Sequence, residues 1–125
     1  MTDPIDSTFA RLRIRVHFGE ALMLGPGKAD LLELIGTTGS ISAAGRAMSM
    51  SYKRAWSLVD EMNHAFQTPL VESARGGPKG GGAHLTDTGQ AVLDHYRKLE
   101  DITAEAGAAR IGAIRDLLKD VSDGK

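Results

Sequence analysis

Ser40-Ile41-Ser42-Ala43-Ala44-Gly45-Arg46-Ala47-Met48-Ser49-Met50-Ser51-Tyr52-Lys53-Arg54-Ala55-Trp56 is the stretch that decides the fold. Its first half is a short helix to about Met48, with Ser40 or Ser42 as the cap. Ala43, Ala44, Gly45 and Ala47 give that helix a surface of small side chains, which lets a second helix backbone come close. Ser49 and Met50 make a turn, and Ser51 caps a further helix running from Tyr52 to about Phe66. In this helix Ala55, Leu58, Val59, Met62 and Phe66 fall on one side at helical spacing, while Tyr52, Lys53, Arg54, Ser57 and Asp60 fall on or beside the other. Two short helices meeting across small residues read as a helix–turn–helix.

Upstream, Gly27 to Thr38 reads as another helix, with Leu31, Leu32, Leu34 and Ile35 as its apolar stripe, Pro26 before it and Gly39 as its stop. Before that, strict alternation over Arg11 to Phe18 predicts a strand. Leu12, Ile14, Val16 and Phe18 occupy its core face, and Arg11, Arg13, Arg15 and His17 the other. Ala21 to Leu24 is the short return strand, and residues 1–8 read as a polar tail. Downstream, Leu70 to Arg75 and Ala83 to Leu85 read as two strands joined by Gly76-Gly77-Pro78-Lys79-Gly80-Gly81-Gly82, a hairpin tip with almost no side chains. Thr86 caps a long final helix from Asp87, in which Val92, Tyr96, Leu99, Ile102 and Ala106 recur near coiled-coil spacing. Gly107 and Gly112 predict a break, with a last short helix near Ile114 to Val121. The predicted fold is mainly α with a small β-hairpin wing: a winged helix–turn–helix over residues 9–86, followed by a helical dimerisation segment over 87–125.

Composition bounds the function. The 125 residues suit one domain of common size, and the absence of cysteine removes disulfides, thiolate metal sites and thiol nucleophiles. No apolar run approaches the roughly 20 residues of a membrane-spanning helix, so the expectation is a cytoplasmic, nucleoid-associated protein. The net charge of −1 hides a polarity. From Arg46 to Lys79 there are five basic against three acidic residues, and from Glu100 to Lys125 four against six. His17, His64, His84 and His95 lack metal-ligand spacing, and Asp60 and Glu61 are neighbours on a helix whose side chains diverge. The reading therefore contains no active site, no metal and no recognisable cofactor. The glycine loop lacks a Gly-Lys-Ser/Thr ending and leads into a strand, which argues against nucleotide binding.

The start of the third helix concentrates donors and positive charge at Ser51, Tyr52, Lys53 and Arg54, with Ser57 one turn on. Such positions meet base edges when a recognition helix enters the major groove, where an arginine can read guanine bidentately. Taken alone, this helix is equally an amphipathic surface helix with its charges in water. The small-residue helix before it and the basic glycine loop after it, with Arg75, Lys79 and His84, turn the reading toward DNA. Trp56 is expected to pack between helices. A winged-helix module that binds a protein partner and no DNA is the alternative, suggested by the low net charge and the alanine-rich last helix.

The pieces Ser51-Tyr52-Lys53-Arg54-Ala55-Trp56, Asp60-Glu61-Met62-Asn63, Leu70-Val71-Glu72 and Leu85-Thr86-Asp87-Thr88-Gly89, with the glycine-rich wing, resemble the DNA-binding domain of ModE-type molybdate-responsive regulators. The layout is similar, more loosely, to the head of LysR-type regulators. The resemblance implies a homodimeric transcriptional regulator, a repressor, bound to a palindromic operator in double-stranded DNA. Its DNA contacts would be Ser51, Tyr52, Lys53, Arg54 and Ser57, with Arg75 and Lys79 in the wing; Val92, Tyr96, Leu99, Ile102 and Ala106 would form the dimer interface. Regulators of this type carry further molybdate-binding domains, whereas this sequence runs to Lys125 with no recognisable oxyanion site, so control by molybdate is not expected of these residues.

Overall fold

The computed structural model describes residues 10–77 and 80–119. The elements follow the order β1 (Val16–Phe18), β2 (Leu22–Leu24), α1 (Pro26–Thr38), α2 (Ile41–Ala47), α3 (Tyr52–Ala65), β3 (Val71–Gly77), β4 (Gly80–Leu85) and α4 (Asp87–Asp116). Among the described residues the strands form two separate antiparallel pairs, β1 with β2 and β3 with β4.

The helix boundaries have local causes. Pro26 starts α1, where its missing N–H is no loss. Gly39 ends it in the left-handed region (φ 74°), with its N–H returned to the Ile35 carbonyl at 2.9 Å. Ser40, and not Ser42, caps α2, its hydroxyl oxygen accepting the Ala43 N–H at 3.0 Å. The turn after α2 closes when the Met50 N–H reaches the Gly45 carbonyl at 2.9 Å, which forces Ser49 to φ 59°. Ser51 then caps α3 by accepting the Arg54 N–H at 3.0 Å. Small residues let α2 and α3 meet closely: a Cβ placed on Gly45 would lie 2.8 Å from that of Ala55. Leu31, Leu32, Ile35, Val59, Met62 and Leu70 are fully buried among these helices. Each contributes roughly 1.5–3 kcal/mol by leaving water.

Two sequence expectations need correction. The alternating stretch from Arg11 pairs as a strand only over Val16–Phe18, in register with Leu22–Leu24. The return strand is three residues long because α1 begins at Pro26, so the earlier part has no strand to pair with. Ile14 and Val16 are accordingly only half-buried, and Phe18 remains 51% exposed. Ile14 is tied down differently, its carbonyl accepting the Tyr96 hydroxyl at 2.7 Å. The second correction concerns α4, which continues through Gly107 and Gly112 to Asp116 as one 30-residue helix. Each interior glycine costs about 1 kcal/mol relative to alanine, and the alanines around them supply enough propensity to carry the helix through. The residues expected as a tail, 1–8, and those beyond 119 lie outside the described residues.

Candidate nucleic-acid interface

The amphipathic division of α3 is realised in three dimensions. Ala55, Leu58, Val59 and Met62 are buried, which turns Tyr52, Lys53, Arg54 and Ser57 outward, all of them exposed. No ion pair among the described residues involves Lys53 or Arg54. Ser51 is exposed as well, with its oxygen engaged by the helix cap, which leaves its hydroxyl proton to donate. Tyr52 is 60% exposed and stands edge-on to Trp56, ring centroids 6.1 Å apart. Trp56 itself packs against the core, its Nε1 buried without a partner among the described residues. The acids further along α3 point away from this end. Asp60 faces His64 at 3.5 Å, and Glu61 reaches Lys28 of α1 at 3.5 Å. Positive charge and donors thus gather at the N-terminal end of the helix, where its unpaired amides also favour anions.

In the hairpin, β3 and β4 pair from Val71↔Leu85 to Gly77↔Gly80, with an irregularity between Ala74 and Gly77. Its strands reach further into the glycine run than the sequence suggested: glycines weaken a ladder but keep both the N–H and the C=O it needs. Arg75 lies on β3, its side chain outside the described set, and Lys79 falls outside the described residues altogether. His84 sits opposite Glu72, their side chains 3.3 Å apart.

The stripe on α4 divides. Val92 packs against the chain's own core and Tyr96 is 2% exposed, whereas Leu99, Ile102 and Ala106 face outward. Burial, and then the nearby Glu100 carboxylate, raise the Tyr96 hydroxyl pKa above 10.0.

Four features escaped the sequence reading. Asn63, in the last turns of α3, holds the start of β3 through three hydrogen bonds to Leu70 and Val71. An asparagine within a helix is a poor helix former, and that misfit was the available signal. Gly89, at the start of α4, touches the Leu70 backbone so closely that a Cβ would collide with its carbonyl oxygen. Lys28 is 8% exposed against Glu61, a pairing between α1 and α3 that no local pattern announces. Arg97 of α4 reaches Asp30 at 2.8 Å, Glu33 at 2.7 Å and Glu100 at 3.1 Å. Burial opposes the Arg97 charge, but the hydrogen bonds to Asp30, Glu33 and Glu100 outweigh it and hold the guanidinium pKa above its ordinary value. Among the described residues, no group of three or more His, Asp or Glu is placed to hold a metal, and no helix is long and apolar enough to cross a membrane.

Helices α1 to α3, the β3–β4 hairpin and the long α4 make this a winged helix–turn–helix domain. The architecture matches two solved full-length regulators. One is the LTTR LysG of Corynebacterium glutamicum (TM-score 0.54, 24% identity, 75% of this chain and 30% of that one). The other is CbnR complexed with its target DNA (TM-score 0.54, 17% identity, 70% and 28%). No protein-family model matches the chain. Curated relatives narrow the assignment. The molybdenum-pterin-binding protein MopB of Rhodobacter capsulatus is 43% identical over 88 residues, 70% of this chain and 31% of that protein. The molybdenum transport protein ModE of Azotobacter vinelandii is 41% identical over 91 residues, 73% and 33%. The DNA-binding transcriptional dual regulator ModE of Escherichia coli K12 is 37% identical over 97 residues, 78% and 37%. At 37–43% identity over 70–78% of its length the chain is similar to ModE-type proteins, and it spans about a third of the length of these relatives.

Proposed function

We propose that this chain acts in transcription regulation as a sequence-specific binder of double-stranded DNA, working as a repressor. The N-terminal turns of α3 would enter the major groove, and the wing would contact the phosphate backbone. The observation that carries this reading is the outward display of Tyr52, Lys53, Arg54 and Ser57 on a helix whose opposite side is locked into the core. In this reading Arg54 reads a guanine edge, Lys53 and the Ser51 hydroxyl hold phosphates, Tyr52 and Ser57 flank them, and Arg75 and Lys79 extend the contact through the wing. Leu99, Ile102 and Ala106 would bring two copies together along α4, supported by the 53% exposure of Ile102 and the 62% exposure of Ile114. A two-fold dimer favours a palindromic operator with half-sites about 34–36 Å apart. The domain division proposed is residues 9–86 for DNA and 87–125 for dimerisation, in a cytoplasmic protein.

Fluorescence anisotropy against duplex DNA from upstream of the gene, over a salt series and with or without molybdate, tests this. The expected result is sequence-preferring binding whose log–log salt slope is about −0.9 per phosphate contacted, unchanged by molybdate. Lys53→Ala is expected to weaken all duplexes alike, and Arg54→Ala to weaken the operator about tenfold or more while relaxing specificity. Intact affinity and specificity in Arg54→Ala would overturn the assignment of the recognition face. Absence of any duplex binding would favour the protein-interaction module instead.

A further inference from the structure

The wing is entered through Pro69, Leu70 and Val71, and two elements grip that root from opposite sides. From α3, the Asn63 side-chain oxygen accepts the N–H groups of Leu70 at 2.8 Å and Val71 at 3.1 Å, while its amide nitrogen donates to the Val71 carbonyl at 3.0 Å. From the start of α4, the Thr86 N–H donates to the Leu70 carbonyl at 2.9 Å, and the Thr86 hydroxyl donates to the Pro69 carbonyl at 2.7 Å. Leu70 and Val71 are themselves buried. Past this root, β3 and β4 pair as strands only with each other among the described residues, and β4 is tied to the end of α1 by the Ala83 N–H, which donates to the Gly39 carbonyl at 2.9 Å. An isolated two-stranded hairpin has little stability of its own. The direction in which it projects is therefore set at its root and by that one bond to α1, and Asn63 supplies the side-chain bonds that tie it to α3.

We infer that Asn63 is a positioning residue for DNA binding: it clamps the wing to α3, so that recognition helix and wing meet a duplex as one rigid body. The inference rests on the DNA-binding reading above. Asn63 is half-buried, with both polar atoms of its amide turned to the wing root, and it acts through the wing. Two contact sites held at fixed separation bind far more tightly than the same sites joined loosely, because the second contact forms at high effective concentration. Releasing the wing from α3 at Asn63 keeps every DNA-facing side chain and reduces that advantage, with Thr86 and the Ala83–Gly39 bond still in place.

The test measures duplex affinity over a salt series for the wild type, Asn63→Ala, Arg75→Ala and the double variant, with Arg97→Met as a variant weakened elsewhere. Asn63→Ala is expected to bind about tenfold more weakly, with a salt slope shallower by about one phosphate contact. The double variant is expected to lose less than the product of the two single losses, since a wing that is no longer held gains little from its arginine. Arg97→Met is expected to lower the melting temperature and leave the slope unchanged. If Asn63→Ala does not fold, Asn63→Asp takes its place: it keeps the acceptor for both N–H groups and sets a carboxylate oxygen against the Val71 carbonyl. The same change of slope is expected. Wild-type binding, with a wild-type slope in the Asn63 variants and multiplicative losses in the double variant, overturns the clamp alone. No wild-type binding overturns the DNA-binding reading and the clamp with it.

Discussion

Replacing Gly89 with alanine is expected to destabilise the domain, although alanine is the better helix former by about 1 kcal/mol. Gly89 lies in the first turn of α4, where a Cβ would collide with the Leu70 carbonyl oxygen and come within 2.9 Å of the Leu70 carbonyl carbon and 3.2 Å of its Cα. All three atoms are backbone, and Asn63 and Thr86 hold that backbone in place. Relief requires the helix start to move off the wing root. Such overpacking typically costs 1–3 kcal/mol, and stretching the Thr86 bonds to Pro69 and Leu70 adds about 1 kcal/mol for each one lost. With both bonds lost, and against the propensity gain, the net loss is about 2–4 kcal/mol, or roughly 6–20 °C in Tm for a chain of this size. Gly112 is the internal control, since it sits in the same helix with nothing within 4 Å of its Cβ position. Gly112→Ala is expected to stabilise by about 0.5–1 kcal/mol. Thermal and urea unfolding, followed by far-UV circular dichroism at one protein concentration, reads both. A Gly89→Ala protein as stable as the wild type would refute the close-approach argument.

Three further outcomes are expected. Ser49→Gly should raise stability by about 0.5–1 kcal/mol in urea titration, because serine at φ 59° fills a left-handed position that glycine adopts without strain. Arg97→Met should lower stability by roughly 1–2 kcal/mol, leaving Asp30, Glu33 and Glu100 without their shared cation, and that deficit should shrink in 1 M salt. The raised Tyr96 pKa means that the folded chain holds this proton more tightly than the unfolded one. Its contribution is therefore complete below pH 10.0 and is lost as pH rises through the higher folded value. Urea midpoints should fall above pH 10 in the wild type, and Tyr96→Phe should start about 1 kcal/mol lower and flatten that fall.

The helices were legible because their signals are local. Ser51 caps α3, Gly39 stops α1, and the alternation of Ala55, Leu58, Val59 and Met62 with exposed neighbours gives the orientation of α3 directly. Small residues at Ala44 and Gly45 announced a close helix pair, and Gly45 indeed approaches Ala55. The DNA-facing residues proposed on α3 were readable for the same reason: a helix with one apolar side has to turn the other outward. Local signals misled where partners mattered. Alternation from Arg11 promised a strand that had no neighbour to pair with, and Gly107 and Gly112 promised a break that the surrounding alanines prevented. On α4 an apolar repeat could not say which members serve the chain's own core; Tyr96 does, through burial and its bond to Ile14, while Ile102 does not.

The sequence by itself determined the order and limits of α1 to α3, the start of α4, the turn between α2 and α3, and which side of α3 faces the solvent, because caps, glycines and apolar spacing act within a few residues. Only the tertiary structure decided how the wing is held and how α1 meets α3 and α4. Asn63 meets Leu70 and Val71, Lys28 meets Glu61, and Arg97 meets Asp30 and Glu33. Hydrogen bonds and ion pairs between distant segments leave no periodicity in a chain, and they exist only once packing has brought their partners together.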